Sequence, residues 1–218
     1  MGTSSRSGAL QRARLYVVCD ARGGGSALER FLDAILEARA GIVQLRDKQA
    51  EAGDLLKWAE TFRRCADRHD ALFIVNDRPD VAVAAGADGV HLGQNDLPAR
   101  TARALVGEDI LIGLSTHDAA QFDAAPPEAD YLCVGPVHAT PTKPGRPAIG
   151  LDAVRHAAAT PEARPWFAIG GIDAATIEDV AAAGATRVVV VRAVTEAEDP
   201  GAAAATLLRS LTSPPSAL

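Results

Sequence analysis

The chain has 218 residues, a formal net charge of −6 and 48% apolar side chains, a size at which α/β barrels commonly fold as a single unit. The acidic balance argues against a nucleic-acid partner, which calls for a basic face, and no apolar run approaches the roughly 18 residues that span a bilayer. Cys19, Cys65 and Cys133 are odd in number and form no CxxC pair, which argues against a disulfide framework or zinc site and for a reducing, cytoplasmic setting.

In chain order, residues 1–14 are rich in Ser, Gly and Arg, lack the apolar stretch of a secretory signal, and read as a disordered extension. Short β-branched runs follow at Leu15–Cys19, Ile42–Arg46, Leu72–Asn76, Gly89–Leu92, Ile110–Leu114, Tyr131–Val134, Phe167–Gly170 and Arg187–Arg192. Each is too short for a helix and is bounded by turn residues. Between them lie segments with apolar residues at helical spacing. Leu28, Phe31, Leu32, Ile35 and Leu36 share one face, and Leu55, Trp58, Ala59, Phe62 and Ala66 another. Asp173 reads as the N-cap of a helix ending near Gly184. Strands alternating with helices in this way favour a single closed (β/α)8 TIM barrel over residues 15–212, with a flexible tail at 213–218. A doubly wound sheet is the runner-up. Against it, the first strand is not followed by GxGxxG, and Gly23-Gly24-Gly25 reads as a flexible loop.

Barrel active sites form at the C-terminal ends of the strands, and the polar residues fall there. Arg46-Asp47-Lys48, Asn76-Asp77, Asp96, Ser115, Thr140-Pro141-Thr142-Lys143, Gly170-Gly171 and Arg192 follow successive strands. Asp77 and Asp96 follow neighbouring strands and suit Mg²⁺, which takes one or two carboxylates and keeps phosphate oxygens or waters. Both suit N-caps equally well, each standing shortly before a proline. Gln44 and Arg46 are two apart and share the inward face of their strand. The guanidinium of Arg46 matches phosphate, with Lys48 and Lys143 as point charges. The loop from Val137 to Pro147 is long enough to be a lid or binding loop, and Gly170-Gly171 offers backbone amides to phosphate. His91 reads as a hydrogen-bonded barrel residue, and His69 and His156 as surface residues. His117 and His138 stay open.

Taken together, Gly41-Ile-Val-Gln-Leu-Arg-Asp-Lys48, Ile74-Val-Asn-Asp77, Ala87-Asp-Gly-Val-His-Leu-Gly-Gln-Asn-Asp96, Ile112-Gly-Leu-Ser115, Val134-Gly-Pro136, Thr140-Pro-Thr-Lys143 and Ala168-Ile-Gly-Gly-Ile172 resemble the thiamine phosphate synthase family. The resemblance implies a transferase that condenses hydroxymethylpyrimidine diphosphate with thiazole phosphate, by dissociative loss of pyrophosphate with Mg²⁺ as cofactor. It implies that Gln44, Leu45, Arg46, Asp47, Lys48, Asn76, Ser115 and Lys143 contact the pyrimidine diphosphate. Of these, Arg46, Lys48, Ser115 and Lys143 would assist the chemistry. Thr140, Pro141, Thr142, Gly171, Val191 and Arg192 would contact the thiazole phosphate, and Asp77 and Asp96 would hold the metal. The family often carries serine where Arg192 stands, and an aromatic residue and proline where His138 and Ala139 stand. The rivals are a thiazole tautomerase of the same superfamily, against which the retained Lys48, Asn76, Asp77, Asp96 and Lys143 count, and a non-catalytic phosphate-ligand sensor. The expected partners are small phosphorylated molecules, with neither nucleic acid nor membrane. A homodimer is compatible with these features.

Overall fold

A computed structural model describes residues 3–140, 147–162 and 164–212. Strands β1 (Leu15–Cys19), β2 (Ile42–Leu45), β3 (Leu72–Asn76), β4 (Gly89–Leu92), β5 (Leu111–Thr116), β6 (Tyr131–Val134), β7 (Trp166–Ile169) and β8 (Val188–Val190) close into a barrel in sequence order. Every neighbouring pair is parallel, and β8 returns to β1 with Tyr16 opposite Val189. Helices α1 (Thr3–Arg12), α2 (Gly25–Glu37), α3 (Ala52–Arg68), α4 (Pro79–Ala84), α5 (Ala99–Val106), α6 (Ala119–Asp123), α7 (Gly150–Ala159), α8 (Ile177–Ala182), α9 (Arg192–Thr195) and α10 (Pro200–Thr212) complete the described chain.

Alternation along each strand sorts the core into two clusters. Leu15, Val17, Val43, Leu45, Phe73 and Val75 point outward and pack under the helices. Tyr16, Val18, Ile42, Ile74, Tyr131, Cys133, Phe167 and Val189 point inward and fill the lumen. The helices cover the outer layer with their apolar stripes; α2 buries Leu28, Phe31, Leu32, Ile35 and Leu36, the face expected from its spacing.

The N-terminal segment departs from expectation. Instead of a disordered extension it contains α1, whose Ala9 and Leu10, with Ala13, join the lumen cluster and close one end of the barrel. Its sequence is a poor helix in isolation, so the order comes from tertiary contacts. Arg6 Nε donates to buried Asp88 at 2.9 Å and Arg6 Nη1 to the Asp109 carbonyl at 3.1 Å. The tail at 213–218 lies outside the described residues.

Several boundaries also move. β5 runs on to Thr116, so Ser115 sits within the strand rather than at its end. β8 stops at Val190, and Arg192 opens α9. Asp173 does not cap α8; its Oδ1 accepts from the amides of Ala175 and Thr176, a local turn ahead of the helix. Gly23-Gly24-Gly25 have positive φ and form the turn into α2.

Candidate active site

The rim at the C-terminal strand ends carries the charged residues. Asp77 follows β3 directly with φ 60°, a left-handed conformation that aspartate tolerates better than most residues, and its amide donates to the His91 carbonyl at 2.8 Å. Asp96 Oδ2 accepts from the Gly93 amide at 2.7 Å. Neither carboxylate caps a helix: the N-cap positions of α4 and α5 are Arg78 and Pro98, with no side-chain cap bond at either.

The two aspartates instead face each other closely enough to interact, and Lys48 Nζ lies 2.9 Å from Asp77 Oδ2. Burial pushes the Asp77 carboxyl up, but the interactions with Lys48 and Asp96 outweigh it and leave Asp77 below its ordinary value. At Asp96, burial and the adjacent Asp77 charge prevail over the Gly93 amide and raise the carboxyl. The two neighbouring carboxyls are thus pushed in opposite directions, Asp77 down and Asp96 up. A divalent cation relieves the same repulsion, so this donor set fits a hard ion.

A second part of the rim is a cleft of about 250 Å³. Ser115, His117, Thr140, Gly171, Val191 and Arg192 are among its lining residues. Gly171 has φ 63°, and a Cβ there would lie 2.7 Å from the Cβ of His138, so only glycine brings bare backbone to this wall. Arg192 Nη1 is 3.8 Å from Glu196, a loose pairing that leaves the guanidinium available. His117 Nδ1 and the Gly135 carbonyl are 2.6 Å apart, which fixes the ring against the wall.

The lumen beneath is polar in one layer. Gln44 Nε2 contacts Tyr16 Oη in a short hydrogen bond, and Tyr16 Oη is 3.1 Å from Tyr131 Oη. Tyr131 Oη lies 3.3 Å from His91 Nδ1, and His91 Nε2 lies 2.9 Å from Ser115 Oγ. Gln94 Nε2 also donates to the Ser115 carbonyl at 2.7 Å.

Most of the expected residues therefore meet at one end of the barrel. Lys48, Asp77 and Asp96 form one cluster; Ser115, Thr140, Gly171, Val191 and Arg192 share the cleft. Arg46 lines a neighbouring hollow that shares Val191 with the cleft, and Asn76, at the end of β3, hydrogen-bonds Asp77. Leu45 differs: its side chain packs in the outer core, which leaves only its backbone for a ligand. Asp47 turns into its own loop, Oδ1 accepting from the Gln49 amide at 3.0 Å. Pro141, Thr142 and Lys143 lie outside the described residues. His91 is hydrogen-bonded within the barrel as expected. His69 and His156 pair with Asp33 and Asp123. Sequence reasoning missed Tyr16, Tyr131, Gln94 and Glu196; a tyrosine within an apolar strand was the available signal for the first two.

A parallel barrel whose rim combines paired carboxylates, lysine, arginine and bare glycine backbone defines a barrel enzyme built to handle phosphorylated ligands. The model of the family described as "Thiamine monophosphate synthase" matches residues 15–194. The thiamine-phosphate synthase of Thermobifida fusca is 57% identical over 204 residues, covering 93% of this chain and 94% of the relative. That of Acidothermus cellulolyticus is 54% identical over 198 residues, covering 90% and 93%. Among solved structures, the thiamine phosphate pyrophosphorylase of Pyrococcus furiosus superposes with a TM-score of 0.82 at 32% identity, covering 94% of this chain and 96% of that one. The chain belongs to the thiamine monophosphate synthase family. The family expected from the motifs and the barrel expected from the strand pattern both hold.

Proposed function

We propose that the chain is a transferase that joins hydroxymethylpyrimidine diphosphate to thiazole phosphate, releasing thiamine phosphate and pyrophosphate. The observation that carries this reading is the Lys48–Asp77–Asp96 cluster, set on the same rim as a cleft with exposed glycine backbone and Arg192. Two phosphorylated substrates require two regions, one where paired carboxylates would hold a cation for the diphosphate and one where backbone amides and arginine receive a phosphate. Relatives more than half identical over nine-tenths of the chain carry the matching name.

In this reaction the bond between the pyrimidine methylene carbon and the diphosphate oxygen breaks, and its electron pair leaves with pyrophosphate. The thiazole ring nitrogen then donates its lone pair to the methylene carbon. No protein nucleophile is consumed, so the demand on the protein is to stabilise charge growing on the leaving group. Arg46, Lys48 and Lys143 supply positive charge and Ser115 a hydroxyl, while Gln44 and Asn76 orient the pyrimidine portion. The backbone of Leu45 and the Asp47 turn shape the loop that presents Lys48. Thr140, Pro141, Thr142, Gly171, Val191 and Arg192 hold the thiazole phosphate. Asp77 and Asp96 would hold Mg²⁺, which supplies charge neutralisation at the diphosphate. With that ion, the diphosphate, two carboxylates and three basic side chains sum to about zero net charge, a favourable balance for a partly dry cleft.

The test is to mix both phosphorylated substrates with Mg²⁺ and assay thiamine phosphate. Asp77→Ala combined with Asp96→Ala should abolish product while the circular dichroism spectrum stays native. Turnover equal to wild type in that double variant refutes the metal assignment. A wild-type protein that binds both substrates and forms no product refutes the synthase reading.

A further inference from the structure

The polar layer inside the lumen joins five side chains from five strands: Gln44, Tyr16, Tyr131, His91 and Ser115, in that order. All five are buried, with Gln44 at 3%, Tyr16 and Tyr131 at 0%, His91 at 7% and Ser115 at 4% relative exposure. A buried chain of this kind is favourable only when each donor meets an acceptor. That condition fixes where its protons lie.

The amide nitrogen of Gln44 can only donate. Tyr16 Oη therefore accepts there, and its single proton goes to Tyr131 Oη. Tyr131, having accepted from Tyr16, gives its own proton to His91 Nδ1. The imidazole carries its proton on Nε2 and donates it to Ser115 Oγ. Ser115 thus has an acceptor lone pair satisfied from below and keeps its hydroxyl proton for the cleft that it lines. If Nδ1 carried the proton instead, Tyr131 Oη would receive two donors and its own proton would have no acceptor in this chain. Packing holds the chain in place: Tyr16, Tyr131 and Phe167 meet edge to face. A Cβ on Gly113 would lie 2.1 Å from Tyr131 Cζ and 2.5 Å from His91 Nδ1, so the glycine in β5 makes room for that contact.

We propose that Tyr16, Tyr131 and His91 are positioning residues whose one-directional hydrogen-bond chain, set by the Gln44 amide, makes the Ser115 hydroxyl an obligate donor toward the phosphorylated substrate. This rests on the synthase reading for the identity of that substrate. A pre-aimed donor is worth most where charge develops, because it need not reorient as the leaving group departs. The chain also couples its ends: a reversed Gln44 amide would reverse every bond and leave Ser115 donating to His91 instead.

The tautomer of His91 tests the chain without reference to activity. In ¹⁵N-histidine-labelled protein, with the His91 signals assigned by their loss in His91→Gln, we expect a protonated Nε2 and a bare Nδ1. Tyr131→Phe removes the donor to Nδ1 and should shift this tautomer balance. Should that variant fail to fold, Tyr16→Phe cuts the chain one link earlier, keeps the aromatic ring, and should shift the same signals. Kinetically, Tyr131→Phe should lower kcat for thiamine phosphate formation roughly tenfold, about the worth of one aimed hydrogen bond. The KM for thiazole phosphate should stay within about twofold. In a Ser115→Ala background the same substitution should cost almost nothing more, since both act through one hydroxyl. A wild-type His91 protonated on Nδ1, a tautomer unmoved by either phenylalanine, or an undiminished tenfold loss in the Ser115→Ala background each overturns the proposal. If the wild type makes no product, the synthase reading falls, while the tautomer result still decides the direction of the chain.

Discussion

Asp88→Asn is the sharpest test of what holds the closed end of the barrel together. The Asp88 side chain is 1% exposed and receives three donors: Arg6 Nε at 2.9 Å, Arg63 Nη1 at 2.6 Å and the Phe73 amide at 2.9 Å. Arg6 ties α1 to the barrel floor and Arg63 ties α3, so one carboxylate fastens two helices to the β3–β4 region. Removing one partner of a buried ion pair costs about 3–5 kcal/mol, because the remaining charge stays in low dielectric. Here the loss should fall near the lower figure. Asparagine still accepts from Phe73, Arg6 keeps the Asp109 carbonyl, and Arg63 keeps Asp67 at 2.8 Å. The assay is urea unfolding followed by circular dichroism between pH 3 and pH 7. Burial pushes the Asp88 carboxyl up, but the Phe73 amide and the two arginines outweigh it, so its folded value is depressed. A depressed carboxyl contributes stability that is fully present above the unfolded value of about 4 and is lost as pH falls through the folded one. The gap between wild type and Asp88→Asn should therefore be about 3 kcal/mol at pH 7 and narrow in acid below pH ~4. A gap under 1 kcal/mol at pH 7, or one that does not shrink in acid, refutes this account.

Two further outcomes follow from the same packing. Leu10→Ala, at a side chain 3% exposed in the lumen base, should cost about 2–5 kcal/mol by opening a cavity; thermal unfolding checks the loss, and KM values for both substrates should not move. The three thiols are all buried, burial raises the Cys19 thiol, and burial with the nearby Asp33 charge pushes Cys65 up to about 11. Native protein should hardly react with a thiol reagent at pH 8, and unfolding in urea should release three equivalents.

How much was legible depended on whether a residue's signal was local. β1, β3, β4 and β6 have the expected bounds because their apolar runs end at Gly, Asp or Asn, which punctuate the chain. Gln44 and His91 were visible as polar residues in apolar strands and Ser115 as one just past its strand, and their roles could be asked about at once. Tyr16 and Tyr131 were not. Parallel strands buried on both faces read as continuous apolar runs, so alternation does not tell which residues face the lumen, and a tyrosine there counts as one more large hydrophobe. The Tyr16–Tyr131 contact spans 115 residues, and only barrel closure brings it about. The N-terminal helix failed for a related reason. Its apolar edge is Ala9, Leu10 and Ala13, too short to register as a stripe, and the charge that fixes it lies 82 residues away at Asp88. Aspartates 77 and 96 were ambiguous because capping and metal binding favour the same residue in the same place. The structure removes the capping alternative alone, since Arg78 and Pro98 take the N-cap positions.

These features divide the barrel along its axis. At the closed end, apolar side chains from α1 and the strand beginnings make a dry plug held by the Asp88 ion pairs. In the middle lies the neutral polar layer from Gln44 to Ser115, and at the open end stand Lys48, Asp77, Asp96 and Arg192. Charge belongs at the open end because only there does solvent keep its desolvation cost low before a ligand arrives. Neutral, fully paired groups tolerate the middle, where an ion would not. The plug matters to the chemistry indirectly. It walls off the underside of the polar layer, where the phenols and imidazole hydrogen-bond to one another and to Gln44 and Ser115. A lumen open at both ends would let water break the chain and leave Ser115 free to turn. On this view the helix least visible in the sequence helps to fix the direction of a hydroxyl at the other end of the barrel.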